Sequence, residues 1–475
     1  VEERYFSKHN VPVDTAIIKL LETFKCCKNN SLYMTNNVDV QTNIQIGDKT
    51  PVAIFGSDSP YYPTGFANQC GHIAALAAEK MKWDVHYLGW QTRGNPDIKG
   101  FPFKIHGIKG RAPFGKDSYD PLFQMTNPDV VFTQGDAHMV DQLGSMPRPF
   151  WIWYLPIDGH PINQIIGGTL PKADVRVCMS KYGRELVQLQ LKLHSEYIPH
   201  GLDTKKFSPA NMIECRKAFF EMYGLRTRQC DLEDAFIFGS VARLNLRKHH
   251  IRLLTAFRKF LDTGPTQQEI DEKRKRCYLY LHLDPKDPLF MPDHNHDYLF
   301  LEWIDALKLN DNVIITPPRK IEGTAYDFIE GIPSHDLVLL YNSFNVHVLS
   351  TGGEGFGIPI IEAMSCGKPN LITDYTTTRE LIATDNDGKM LEIDQMRGMP
   401  ILPSRLYLEH SGVHKAWVDV DAFALGMEAY YKNQELIDKQ SKSCREWAVK
   451  NFDWKVVDKM WIEVLEKVNN RVGLI

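Results

Sequence analysis

Short apolar runs recur along the chain, each closed by glycine, proline or small polar residues, and this punctuation predicts strands joined by helices or long connections. The first run, residues 52–55, breaks at Gly56, Ser57 and Asp58 and passes through Pro63, Thr64 and Gly65 into helical spacing over about 67–81. Further runs follow at 85–88, 130–132, 150–154, 175–178 and 197–198. The alternation starts again at 235–239 and continues at 277–281, 313–315, 346–349 and 370–373. Strands alternating with helices imply parallel sheets covered on both faces, with ligands collecting at the carboxyl ends of the strands. Two successive doubly wound sheets, an α/β architecture, account for both series, with a joint near 199–209 and no sequence repeat between the halves. Ahead of the first strand, residues 13–28 place Ile17, Leu20, Leu21 and Phe24 at helical spacing, and an Asn-rich stretch follows over 29–43, which together predict an N-terminal appendage. At the far end, residues 441–468 pattern as one helical segment with Trp447, Phe452, Trp454, Trp461 and Val464.

With 475 residues, 43% hydrophobic and 24% charged, the composition excludes a disordered or fibrous protein, and the length suits two or three domains. The formal net charge is −4 and neither end carries a charged tail, so nothing global points to nucleic acid. The basic stretch Lys273, Arg274, Lys275, Arg276 adjoins Glu269, Asp271 and Glu272 and predicts a solvated helix end. Nine cysteines, with none at C-x-x-C spacing, exclude a zinc ribbon or redox motif and suit a reducing compartment. The longest apolar stretch, 150–157, falls far short of the about 18 residues that span a bilayer, and the N-terminus has no signal pattern. The expected location is cytoplasmic, with peripheral contact at a membrane left open.

The most informative stretch is 350–364, Ser-Thr-Gly-Gly-Glu-Gly-Phe-Gly-Ile-Pro-Ile-Ile-Glu-Ala-Met, which follows a strand and enters a helix at Pro359. Its glycines let backbone N–H groups approach an anion closely, and the helix N-terminus adds a positive dipole. Glu354 and Glu362 can accept hydrogen bonds from different hydroxyls of one elongated ligand. With Gly355, Phe356 and Gly357 between them and Ala363, Met364, Cys366, Gly367, Lys368 and Pro369 behind, the stretch resembles the E-x7-E signature of glycosyltransferase family 4, retaining transferases of the two-domain GT-B fold. The segment 198–204 with Phe207 and Pro209 is similar to the family's interdomain hinge, and 239–244 followed by Lys248 is similar to its phosphate-binding pair, Arg243 and Lys248. The resemblance covers about 52–468 and is tighter from Ile198 onward.

The resemblance leaves the appendage over 1–50 unexplained and implies an acceptor-side Rossmann-like domain over 51–205, a nucleotide-sugar donor domain over 206–435 and a C-terminal helix over 436–475 that returns to the first domain. It implies that Glu362 holds the ribose hydroxyls, that Glu354 lies beside the transferred sugar, and that backbone groups of Gly355, Phe356 and Gly357 line the sugar and diphosphate. Arg243 and Lys248, cations just after a strand, would neutralise the diphosphate and the charge on the leaving group, whereas Arg247, His249 and His250 are expected at the surface or in packing. Gly65, in the first strand-to-helix loop, is a candidate contact to the donor phosphates or simply part of a Pro-x-Gly turn. After the aromatic-rich strand, either Asp158 or His160 fills the place where related enzymes put a polar active-site residue, and Asp136, ending another strand, is a further cleft candidate. Thr376 and Thr377 stand where many members have Gly-Gly.

The acidic triplets at Asp385, Asp387 and Asp419, Asp421 lie outside the expected cleft loops, and the cluster Asp293, His294, Asn295, His296, Asp297 patterns as a polar loop, so neither a metal nor another cofactor is expected. Trp83, Trp90, Trp151 and Trp153 are expected in the core. The expected function is a metal-independent, retaining transfer of a hexose from a nucleotide-diphosphate sugar to an acceptor hydroxyl. The acceptor stays open among lipid, glycan, protein, small molecule and modified nucleic acid. A nucleotide-sugar 2-epimerase of the same fold and a catalytically silent nucleotide-sugar-binding scaffold are the rivals. Product analysis separates the first, and the joint presence of Arg243, Lys248, Glu354 and Glu362 argues against the second.

Overall fold

Two parallel sheets organise the computed structural model, which describes residues 50–94, 98–285, 299–317 and 332–472. The expected helix at 13–28 and the Asp293 to Asp297 cluster lie outside the described residues. The first sheet contains β1 (Val52–Ser57), β2 (Asp84–Arg93), β3 (Lys104–Ile108), β4 (Val130–Gln134), β5 (Phe150–Leu155), β6 (Val175–Cys178) and β7 (Glu196–Tyr197), in the spatial order β3-β2-β1-β4-β5-β6-β7. The second contains β8 (Phe236–Val241), β9 (Cys277–His282), β10 (Val313–Ile315), β11 (Val346–Leu349), β12 (Asn370–Thr373) and β13 (Gly398–Ile401), in the order β10-β9-β8-β11-β12-β13. An antiparallel hairpin, β14 (Arg405–Leu408) and β15 (His414–Trp417), follows. The order reverses at the β1/β4 pair and at the β8/β11 pair, the two switch points at which doubly wound sheets bind ligands.

The strands read as nearly continuous apolar runs because helices cover both faces. In β1, Ala53 and Phe55 enter one core cluster and Ile54 the other. Trp151 and Trp153 stack at 5.4 Å inside the first half, and their indole N–H groups donate to the Thr133 hydroxyl at 2.9 Å and the Gly135 carbonyl at 3.1 Å. Trp83 and Trp90 are buried as well. Each such side chain contributes roughly 1.5–3 kcal/mol through burial.

Two corrections concern the helices. The segment expected as one helix over 441–468 is two, Gln434–Phe452 and Trp454–Val472, parted at Asp453, whose backbone is extended and whose carboxylate accepts the Lys455 N–H at 2.9 Å. An aspartate that caps new N–H groups ends one helix and starts the next. The basic stretch 273–276 closes the helix Gln267–Arg276, but Lys273 is fully buried there and pairs with Glu428 at 2.7 Å, while Arg274 and Arg276 are half-buried and pair with Asp262 and Glu272.

The chain passes between the sheets twice, and the two passages are bonded to each other. Leu202 N–H donates to the Phe452 carbonyl at 2.8 Å, Trp454 N–H donates to the Leu202 carbonyl at 3.1 Å, and the Thr204 hydroxyl meets the Asp453 carboxylate. The Gln69 amide closes on both backbone groups of Gly201, at 2.8 and 3.0 Å. The last helix then lies on the first sheet, with Trp461 against Phe132 and Tyr154, and Asp458 paired to His72 at 2.8 Å. A Cβ at Gly201 would enter the Trp454 ring. Gly201→Ala should therefore cost about 1–3 kcal/mol by overpacking. Urea unfolding should show a lower midpoint at an unchanged slope.

Candidate active site

The strand β8 ends in Val241, and a single 3-10 turn, Leu246–Lys248, follows, capped by the Asn245 side chain on Arg247 N–H at 3.0 Å. That turn aims Lys248 and Arg247 at the loop after β11. Lys248 Nζ stands 2.5 Å from Glu354 Oε1, and Arg247 Nη1 stands 3.2 Å from Glu354 Oε2 and donates to the Gly353 carbonyl at 2.7 Å. Thr351 adds its hydroxyl to Glu354 Oε1 at 2.7 Å. The two loops are also laced by backbone, with Gly352 N–H on the Arg247 carbonyl at 2.6 Å and the Ser350 hydroxyl on the Lys248 carbonyl at 2.7 Å. Arg243 lies exposed at the end of β8, and its carbonyl is held by His250 Nε2 at 3.0 Å.

Gly355 and Gly357 continue the loop into the helix Ile358–Ser365, on which Glu362 accepts the Tyr341 hydroxyl at 2.7 Å. The Phe356 side chain turns away from the cleft onto the rings of His200 and Phe452, between the two chain passages. Thr376 and Thr377, in place of glycines, brace the loop from β12: their hydroxyls donate to the Glu354 carbonyl at 3.0 and 2.9 Å, and Thr376 Oγ1 lies 3.0 Å from the Glu354 N–H. Thr376 holds φ at 58°, a conformation that a β-branched residue rarely adopts and that surrounding bonds must enforce.

Across the cleft, Gly65 opens the helix Gly65–Glu79, and a Cβ there would come within 2.8 Å of Ile358, so the N-termini of two helices from opposite halves meet. Asp158 pairs with Lys415 of β15 at 2.7 Å, and its backbone carbonyl lies against Gly353. His160 belongs to a different group: its Nδ1 is 3.1 Å from the Tyr375 hydroxyl and 3.4 Å from that of Tyr182, and His414 N–H donates to its carbonyl at 2.7 Å. Asp136 lies two residues beyond β4 and shares the field of Asp158, His138, Arg247 and Lys415.

The electrostatics follow from these distances. Burial pushes the Glu354 carboxyl up, but the Arg247 and Lys248 charges outweigh it and hold the group down at about 2. Burial raises the Glu362 carboxyl to about 7 against the opposing Tyr341 hydrogen bond. Burial, reinforced by Asp158, raises Asp136.

Arg247 is a correction: expected at the surface or in packing, it shares Glu354 with Lys248. Lys415 had no signal at all. His249 and His250 are buried in packing, on Trp417 and Phe300. The acidic triplets do local work: Asp385 accepts the N–H groups of Asp387 and Lys389, and Asp419 caps the helix Val420–Lys432. Among the described residues no helix is long and apolar enough to cross a membrane.

The family model described as "Glycosyl transferases group 1" matches residues 228–396. O-antigen chain mannosyltransferase B of Escherichia coli is 41% identical over 51 residues, 11% of this chain and 13% of that protein. EpsD of Bacillus subtilis (strain 168) is 23% identical over 260 residues, 55% of this chain and 51% of that protein, so this chain spans about half or less of these curated relatives. Among solved structures, sucrose-phosphate synthase from Thermosynechococcus elongatus superimposes with a TM-score of 0.65 at 16% identity, covering 88% of this chain and 99% of that one. Anabaena HepE in complex with UDP-glucose superimposes with a TM-score of 0.61 at 13% identity, covering 88% and 100%. The chain therefore shares the GT-B fold of these structures, and residues 228–396, which match the model described as "Glycosyl transferases group 1", carry the Arg247, Lys248 and Glu354 cluster.

Proposed function

We propose that the chain is a retaining, metal-independent glycosyltransferase that moves a hexose from a nucleotide-diphosphate sugar to an acceptor hydroxyl. One observation carries the reading: Glu354, ionised between Lys248 and Arg247, lies in a glycine-rich loop at the switch point of the second sheet, beside Asp158 of the first. Arg243 and Lys248 supply the positive charge that a departing diphosphate needs, and they do so preorganised, so no reorganisation accompanies bond breaking. Glu354 receives hydroxyls of the sugar, Glu362 those of the ribose, and the backbone of Gly65, Gly355, Phe356 and Gly357 lines the diphosphate. The acceptor attacks from the side of the leaving group. The bond from the anomeric carbon to phosphate oxygen breaks, the bond to the acceptor oxygen forms, and the acceptor proton passes to the departing phosphate. Asp158 orients the acceptor hydroxyl. The seven described cysteines are all free, which supports a reducing compartment such as the cytoplasm.

UDP-glucose, bound in the Anabaena neighbour, is the first donor to try. Calorimetry and product chromatography across a panel of nucleotide sugars, with and without chelator, should find one donor bound at micromolar affinity with slow release of free sugar. The anomeric configuration of the product, read by NMR, tests retention. Conversion of the donor alone to its C2 epimer would instead establish the epimerase, and a donor bound with neither transfer nor hydrolysis would favour the scaffold.

Donor affinity should depend on pH through Glu362. Ribose hydroxyls need the ionised carboxylate, and burial holds that group at about 7. Affinity should fall about tenfold per pH unit below that point and level off above it. The Tyr341 hydrogen bond lowers the titration, so Tyr341→Phe should move the inflection to higher pH, as titration calorimetry would show.

A further inference from the structure

We infer that Lys415 is a positioning residue that holds the Asp158 carboxylate at the reaction centre, delivered there by β15 acting as a strap across the cleft. Three successive residues of β15 engage five different residues. His414 N–H donates to the His160 carbonyl at 2.7 Å, and its own carbonyl accepts the Tyr375 hydroxyl at 2.7 Å. Lys415 Nζ reaches Asp158 Oδ1 at 2.7 Å and the Asp158 carbonyl at 3.1 Å. Ala416 N–H donates to the Gly352 carbonyl at 2.8 Å, and its carbonyl lies 3.0 Å from His249 Nε2. The strand thus joins the acceptor-side loop at 158–160 to the donor loop at 350–354, and it lies beyond the matched segment 228–396. The fit is close: a Cβ at Gly159 would strike Val413 and the His414 carbonyl, and one at Gly353 would strike the Asp158 carbonyl.

Lys415 is only 3% exposed, and a buried ammonium persists only where an anion and hydrogen-bond acceptors compensate its lost hydration. Asp158, at 39%, keeps one side open to the cleft. The other cations in its field, Arg247 and Lys248, are both already paired with Glu354. Without Lys415 the Asp158 carboxylate loses its ion-pair partner and leaves its place beside the acceptor. Lys415 touches neither the donor loop's carboxylate nor its cations, so its work is on the acceptor side.

The inference rests on the transferase reading above. Lys415→Met should lower kcat about 100-fold, the loss expected of a misplaced reacting group. Donor KM and donor affinity by calorimetry should change by no more than about twofold, because ground-state donor binding is untouched. Lys415→Arg, which keeps the cation, should restore most of kcat. The double variant Asp158→Asn with Lys415→Met should be no slower than Asp158→Asn alone, because the lysine acts through the aspartate. Lys415→Gln, with a polar head for the buried site, replaces the methionine variant should that one not fold by circular dichroism. An active wild type beside a Lys415 variant of undiminished kcat, or losses that add in full in the double variant, overturns this inference alone. A wild type that turns over no nucleotide sugar overturns the transferase and the inference together.

Discussion

Arg243→Ala is expected to cut transfer about 10²–10³-fold, the cost of removing one preorganised charge from a site that stabilises a leaving group. The unfolding free energy should stay within about 0.5 kcal/mol of wild type, because the side chain is exposed and the backbone carbonyl that anchors His250 survives the substitution. Steady-state kinetics beside urea denaturation separates the two quantities. Near-normal turnover at unchanged stability would remove Arg243 from the proposed donor site.

Glu354→Ala should fail on both counts. It leaves Lys248, 10% exposed, and the Arg247 head facing one another with no carboxylate between them, and breaking a buried pair in this way costs about 3–5 kcal/mol. It also frees the loop from the Thr351 hydroxyl, so donor binding should be lost with stability. Acid titration gives an independent check. The folded carboxyl titrates at about 2, below the ordinary 4.5, so its contribution is complete above about 4.5 and fades as pH falls toward 2. Wild type should lose stability steadily across that window, and Glu354→Gln should lose less there. An unchanged acid profile in the variant would mean that Glu354 is not held by its two cations.

The donor half was legible because its chemistry is local in sequence. The glycine-rich loop, its strand and its helix lie within 346–365, and the Lys248 turn carries its own strand and cap. The meeting of Glu354 with Lys248 follows from the adjacency of β8 and β11, which strand alternation implies without naming. Arg247 was missed because adjacent residues on an ordinary helix diverge, and only a single 3-10 turn capped by Asn245 sends both cations into one cleft. Lys415 lies 257 positions from Asp158 on a polar hairpin, beyond the reach of any local pattern. β13 hides behind Gly398 and Pro400, residues that an edge strand tolerates and that no strand pattern favours. β3, at an edge of the first sheet, is also short, and Lys104, His106 and Gly107 interrupt its apolar residues. The break at Asp453 escaped because apolar spacing resumes on its far side, and one extended residue barely disturbs a periodic pattern.

The paired passages at Leu202 and Asp453 have a kinetic consequence. Two strands of chain bonded side by side form a single door post: any swing of the halves would turn about it, because neither can slide along the other without breaking the bonds that tie Leu202 to Phe452 and Trp454. In the proposed transferase, donor uptake and product escape would share one rotational coordinate, and the frequency of that swing would set a ceiling on turnover however fast the bond exchange became.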